Sequence, residues 1–140
     1  MANTYKNNVS TVTSTGSDIA VYTCPSDATS IINPNRRDCK YPFKALCGAA
    51  VIFKLLCAVM IKLEKDLSDV YDLMDLVTIA TIGDYVNILG ENRILVHEGF
   101  KKISSGSNIG LKMLFIACGL SYENVNQEAL SFGIIPKINA

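Results

Sequence analysis

Apolar residues recur every three or four positions along most of the chain beyond residue 42, and this spacing predicts a series of amphipathic helices. Short polar breaks separate the apolar stretches, so the helices are expected to be of moderate length. Five are predicted, at residues 43 to about 65, 68–82, 91–102, 109–118 and 124–130.

The first predicted helix is the most apolar part of the chain. It follows Pro42, which fits a helix start because the N–H that proline lacks would be unpaired there. Gly48 lies inside this helix and predicts close packing against another backbone, since an interior glycine otherwise costs about 1 kcal/mol relative to alanine. Because residues 45–63 are almost wholly apolar, we expect the helix to be buried on nearly all sides within a larger α/β protein.

The second predicted helix combines a polar and an apolar face. Three aspartates recur every three residues, which predicts a stripe facing solvent. The apolar residues between them are expected to form the buried face, and Gly83 to end the helix. The stripe consists of Asp69, Asp72 and Asp75, and the expected buried face of Leu73, Leu76, Val77 and Ala80.

Two short strands are predicted near the start of the chain, at residues 18–23 and 29–32, the second ending in an Asn-Pro-Asn turn. Short strands followed by helices favour the α/β class, here a few strands of a parallel sheet packed by several helices. Residues 1–17 are rich in Asn, Ser and Thr, which is typical of a frayed tail or a poor edge strand.

Composition limits the function classes. With 140 residues, 49% apolar residues, 19% charged residues and a mean hydropathy of +0.27, the chain is not a disordered one. So much apolar surface predicts a partner, self-association or further protein outside the chain. The formal net charge is zero, so no overall positive field attracts nucleic acid. A local basic cluster precedes the first predicted helix and consists of Arg36, Arg37, Lys40 and Lys44. It is either a loop that binds phosphate or a loop that is solvated.

A lysine in the middle of residues 45–63 argues against a membrane span. Lys54 would cost about 2.5–3.5 kcal/mol at the bilayer centre, and the unbroken apolar runs have about half the length that a span needs. The chain begins without the pattern of a secretory signal. We therefore interpret the five cysteines as reduced thiols of a cytoplasmic protein.

Few residues suggest chemistry by themselves. The sequence holds neither a glycine-rich phosphate loop nor a paired-histidine zinc motif. Its one histidine, His97, has no evident partner and is expected at the surface. Asp84 follows a long apolar run at a helix end, where the helix dipole disfavours an anion. Either a positive partner lies near Asp84, or it is a turn residue that reaches solvent.

Several short segments, in order, resemble the middle of RecJ-type exonucleases, which belong to the DHH phosphoesterase family. The resemblance covers about residues 28–140 and implies that they are the C-terminal part of an incomplete DHH phosphoesterase domain, whereas residues 1–27 match poorly. It rests on IINPNR (31–36), YPFK (41–44), LCGA (46–49), FKL (53–55), DLV (75–77), TIGDYV (81–86), LGENR (89–93), FGI (132–134) and PKINA (136–140).

The resemblance implies 5′-to-3′ hydrolysis of phosphodiester bonds in single-stranded DNA during repair and recombination. It implies two divalent metal ions, Mn²⁺ or Mg²⁺, one producing a hydroxide and the other stabilising the leaving oxygen. Asp84 matches the last metal-binding aspartate of the family and is expected to be a catalytic metal ligand. Expected substrate-binding residues are Arg36, Asn33, Lys137 and Asn139, with turn and capping roles as the alternative for Asn33 and Asn139.

The chain also departs from the family pattern. The family's D-x-D motif, a second lone aspartate and the Asp-His-His triplet would precede this region, but residues 13–17 read TSTGS. Lys137 stands where the family usually has arginine, and the second domain is absent. We expect an internal piece of such an enzyme, inactive alone, whose partners are the missing motifs and domain. The alternatives are a degenerate binding or assembly module and a DHH phosphoesterase of small nucleotides.

Overall fold

The structure is a computed structural model that describes residues 30–36 and 38–140. The chain divides into two compact units, Met1–Lys44 and Ala45–Ala140. Regular secondary structure of the described residues is helical and lies in the second unit. Its elements are α1 (Gly48–Lys62), α2 (Ser68–Tyr71), α3 (Met74–Gly83), α4 (Gly90–Ser104), α5 (Ile109–Ala117), a π-helical stretch (Ala129–Ile134) and α6 (Ile135–Ile138).

The predicted α/β class, with a few strands of a parallel sheet, is wrong for the residues that the structure describes, which contain helices and no strand. The strand predicted at residues 18–23 lies outside them, as does residue 29. Residues 30–32 of the second predicted strand are irregular. A strand is stabilised by hydrogen bonds to a neighbouring strand, and three residues before a turn are too few to maintain such a pairing.

The helix α1 begins five residues later than predicted, because Cys47 caps it. The Cys47 backbone is extended, and its Sγ accepts a hydrogen bond from the Ala50 N–H at 3.4 Å. Gly48 is therefore the first helical residue rather than an interior one. Among the described residues nothing lies within 4 Å of the position that a Gly48 Cβ would occupy, so the predicted close packing is wrong for that part of the chain.

Only one side of α1 is buried in this unit, through Ala50 and Phe53. The opposite side, together with the C-cap Leu63, exposes five apolar residues at helical spacing, each between 36% and 60% accessible. Burial on nearly all sides, which was predicted within a larger protein, stays a prediction. Among the described helices, none combines the length and hydropathy that a bilayer crossing requires. We call these five residues the α1 stripe: Ile52, Leu55, Leu56, Val59 and Leu63.

The second predicted helix is two helices, α2 and α3, and its buried face differs from the predicted one. Asp75 was expected in the solvent stripe but is completely buried, whereas Leu73 and Leu76 are 38% and 50% exposed. The buried side of α3 is the one that faces α4 and the start of α5. That side consists of Asp75, Val77, Thr78, Thr81 and Ile82.

The antiparallel helices α3 and α4 are in close contact at Gly99. A Cβ at this position would lie 1.6 Å from Thr78 Oγ1 and 2.7 Å from the Met74 carbonyl oxygen. At the same crossing the Thr78 hydroxyl donates a hydrogen bond to the Leu95 carbonyl at 3.1 Å. The missing side chain of Gly99 is thus what allows the two backbones to come together.

The apolar core joins α3, α4, α5 and the C-terminal helical segment. The predicted fourth helix is confirmed as α5, and Gly119 just beyond it has the left-handed φ of +68° that commonly follows a helix end. The C-terminal residues, in contrast, continue as helix well past residue 130. The core consists of Ile82, Val96, Ile103, Leu111, Phe115, Leu130, Ile134 and Ile135.

We predict that Gly99→Ala destabilises the protein by about 2 kcal/mol or more, because a methyl group there must push apart two packed helices. The matched control is Gly48→Ala, which places the same methyl group in open space at a helix start and should be neutral or stabilising. Urea unfolding of both variants measures the difference. Equal stabilities of the two variants would contradict this close crossing.

Candidate functional site

Asp84 is the C-cap of α3 and begins the short connection to α4. Its N–H donates to the Ala80 carbonyl at 2.9 Å, which completes the last helical turn. Tyr85 then adopts a left-handed φ of 53°, which turns the chain away from the helix axis. Asp84 is exposed, and so is Tyr85, which is 81% accessible.

The position of Asp84 favours a cation, but the residues that the structure describes do not complete a metal site around it. A carboxylate at a helix C-terminus lies at the negative end of the helix dipole, so it is stabilised by a nearby positive charge. No hydrogen bond or ion pair to its side chain is found within the described residues. The same residues contain no cluster of three or more His, Cys, Asp or Glu side chains that could hold a metal ion.

The C-terminal helix α6 packs beside the end of α3. The Ile135 side chain lies 3.6 Å from the position that a Cβ on Gly83 would occupy, directly before Asp84. Lys137 is exposed on α6, and Asn139 is its exposed C-cap, with its N–H donating to the Ile135 carbonyl at 3.1 Å. Two of the predicted site residues therefore belong to a segment that packs against the helix end carrying Asp84.

Asn33 and Arg36 lie in the first unit and form one turn. The Asn33 side-chain oxygen accepts from the Asn35 N–H at 2.9 Å, and the Arg36 N–H donates to the Asn33 carbonyl at 3.2 Å. The Arg36 guanidinium pairs with both carboxylate oxygens of Asp38, with Nε 2.8 Å from Oδ1. Hydrogen bonding from Arg36 lowers the pKa of the Asp38 carboxyl, so this fork is already engaged. Arg37 of the predicted basic cluster lies outside the described residues.

The buried Asp75 was missed because a three-residue spacing of aspartates resembles a solvent stripe. Its Oδ2 accepts from Asn108 Nδ2 at 2.8 Å, and its Oδ1 accepts from the Leu76 N–H at 2.7 Å. Asn108 also caps α5, since its Oδ1 accepts from the Leu111 N–H at 3.1 Å. Asp75 thus orients the residue that begins α5. The signal for its burial was its position three and seven residues before Thr78 and Ile82.

Asn92 was also missed, although it fixes the connection that begins at Asp84. Its side chain is fully buried, and Nδ2 donates to the Ala45 carbonyl at 2.7 Å and to the Asn87 carbonyl at 2.9 Å. The Asn92 Oδ1 is buried and has no hydrogen-bond partner among the described residues. Asn92 lies three and four residues before the buried Leu95 and Val96, which places it on the same face of α4. This spacing is the signal in the sequence that could have predicted its burial.

Several bacterial proteins that carry the name single-stranded-DNA-specific exonuclease RecJ are similar to this chain. The Bacillus subtilis protein is 34% identical over 114 residues, which cover 81% of this chain and 14% of the relative. The Escherichia coli protein is 33% identical over 123 residues, covering 81% and 21%. The Thermus thermophilus protein is 38% identical over 93 residues, covering 66% and 13%. The chain is a RecJ-like segment and belongs to that family.

The chain spans between about one eighth and one fifth of the length of these RecJ relatives. No protein-family model matches it, and no solved structure matches it either. The family membership therefore rests on the sequence identity to RecJ proteins.

The pairing of Arg36 with Asp38 gives a prediction by NMR. Because the guanidinium stabilises the ionised carboxyl, Arg36→Ala should raise the pKa of Asp38 toward its ordinary value near 3.8. In the unchanged chain the ion pair is present above that value and is lost as the pH falls through the lowered pKa of Asp38. Lys40→Ala, which removes a nearby exposed cation, is the control. A carboxyl titration that Arg36→Ala leaves unchanged would mean that Arg36 is not held by Asp38.

Proposed function

We propose that this chain supplies part of the active site of a RecJ-type exonuclease that hydrolyses phosphodiester bonds of single-stranded DNA from the 5′ end. Asp84 contributes one carboxylate ligand to a divalent metal ion. The observation that carries the proposal is the identity to RecJ proteins over 81% of the chain. The exposure of Asp84 at the end of α3, inside the TIGDYV segment, supports its role because a ligand must be reachable.

The metal site that we propose is shared with protein outside this chain. Mn²⁺ and Mg²⁺ bind carboxylate and imidazole ligands in sets of several, and Asp84 alone does not make such a set. The remaining ligands would come from the segments that carry the D-x-D and Asp-His-His motifs in the family. The proposed partners are these segments, the second domain and single-stranded DNA, in the cytoplasm during DNA repair and recombination.

Of the four proposed substrate-binding residues, the two on the C-terminal helix have the stronger support. Lys137 and Asn139 are exposed and follow Ile135, which packs against the helix end that carries Asp84. Arg36 could bind a phosphate only if its ion pair with Asp38 were broken, which makes Arg36 a weaker candidate. The Asn33 side chain already closes a turn, which favours the structural role that was its alternative.

A second candidate function is a degenerate RecJ-like module that binds or assembles without catalysis. The observation favouring it is that the described residues form no cluster of metal ligands around Asp84. The exposed α1 stripe gives such a module an apolar surface for assembly, including self-association. The two candidates differ in one respect that an experiment can test, namely whether Asp84 matters for cleavage.

Asp84 can be tested in a hybrid enzyme. In Bacillus subtilis RecJ, the stretch that matches this chain would be replaced by the corresponding 114 residues. We expect Asp84→Asn to lower the cleavage rate of single-stranded DNA with Mn²⁺ by about 100-fold or more, as expected for loss of a preorganised electrostatic group. Asp69→Asn, another exposed aspartate, is the control and should retain the activity. An active hybrid that is insensitive to Asp84→Asn would exclude the proposed metal role.

The chain alone is expected to be inactive, because one carboxylate cannot hold the metal ions. Purified chain with Mn²⁺ should release no more nucleotide from 5′-labelled single-stranded DNA than a Gly99→Ala sample or buffer does. Calorimetric titration with Mn²⁺ should likewise give the same heat for the unchanged chain and for Asp84→Ala. Cleavage well above background, absent in Asp84→Ala, would show that the chain holds a complete site.

A further inference from the structure

A concave surface lies along α4 and includes neither Asp84 nor any of the proposed substrate-binding residues. It is a pocket of about 660 Å³, within the range that holds small ligands. Its lining combines apolar side chains with two groups that can donate hydrogen bonds to an anion. The lining residues that matter here are Ile88, Arg93, Val96, His97, Glu98 and Phe100.

The apolar part of the pocket is an extension of the core. Val96 is only 6% exposed and belongs to the core, while Ile88 and Phe100 pack against that core from outside. A surface supported in this way keeps its shape, because the side chains beneath it are close-packed. It therefore offers a flat or aromatic ligand a preformed apolar face.

The polar part of the pocket holds one permanent positive charge, on Arg93, a histidine, and one carboxylate. Arg93 and His97 are four residues apart on α4, so their side chains lie on one face with Cβ atoms about 5–6 Å apart. Within the described structure no carboxylate pairs with Arg93. The one acidic residue, Glu98, accepts a hydrogen bond from Lys101 at 2.8 Å, which lowers the pKa of Glu98 and offsets its charge. His97 Nε2 lies 3.9 Å from Glu98 Oε1.

We propose that this pocket binds one nucleotide unit, with a phosphate at Arg93 and His97 and the base against Phe100 and Ile88. An arginine fork suits phosphate oxygens, and an aromatic or apolar face suits any nucleobase. The choice of a nucleotide rests on the proposed function, whereas the pocket itself does not involve Asp84. The unit belongs either to a single strand or to a free mononucleotide, which share the same chemistry.

Binding can be measured by fluorescence anisotropy of a labelled oligothymidylate with the full chain at low salt. We expect Arg93→Ala combined with His97→Ala to weaken binding at least tenfold. The slope of log K against log salt should become shallower by about 0.7 for each phosphate that the variant no longer neutralises. Glu98→Gln should tighten binding, since it removes the negative charge in the pocket. Because Arg93 and His97 are exposed, these changes leave the core intact, which circular dichroism verifies.

The controls remove one positive or one negative charge outside the pocket. Lys112→Ala and Glu123→Gln should alter the affinity by less than twofold. Equal effects of the pocket and control variants would overturn the proposal, because they would indicate general charge attraction. The proposal would also be overturned if the chain bound neither oligothymidylate nor dTMP. Competition by dTMP would support a mononucleotide site, and binding of the oligomer without such competition would support a strand site.

Failure of this proposal and failure of the proposed function give different results. A hybrid RecJ that loses cleavage in Asp84→Asn, while the chain binds no nucleotide, refutes the pocket alone. Nucleotide binding that depends on Arg93 in the chain, together with a hybrid that tolerates Asp84→Asn, refutes the metal role alone and leaves the pocket supported.

Discussion

The close crossing of α3 and α4 is the contact on which the second unit depends. Gly99 lets the backbones approach, and the Thr78 hydroxyl bonds the Leu95 carbonyl across the gap. Because the two helices run antiparallel, the end of one lies beside the start of the other, with only residues 84–89 between them. The crossing therefore determines where Asp84 is presented and where the first turn of α4, with Asn92, meets the connection.

Polar side chains, rather than apolar ones alone, define how the helices around this crossing are arranged. Asp75, Thr78 and Asn92 are fully buried, and each bonds a group on another segment. Burying a polar group is costly unless it is paired. An arrangement that separates these partners loses several hydrogen bonds at once, so the polar interactions select one packing among those that the apolar side chains would allow.

The sequence predicted the helices where a single periodic pattern decides them. The predicted third and fourth helices match α4 and α5 closely, because apolar spacing and end residues agree there. The prediction failed where a residue distant in sequence decides the structure. No local pattern shows that Asn108 will donate a hydrogen bond to Asp75, or that Thr78 will pack against Gly99. The predicted sheet depended on short segments without visible neighbours. For the site, Asp84 could be singled out by its odd position at a helix end, whereas the pocket depends on side chains that are individually ordinary.

The backbone conformation of Tyr85 carries an energetic cost in the connection between α3 and α4. A left-handed backbone at a residue other than glycine costs about 1–2 kcal/mol, and Tyr85 adopts this conformation at φ 53° with its ring almost wholly in water. Glycine would make the same reversal without torsional penalty. The phenol ring thus gains nothing from burial in this unit, so the torsional cost at Tyr85 is not offset there. Contact of the ring with another surface would offset that cost by removing apolar area from water.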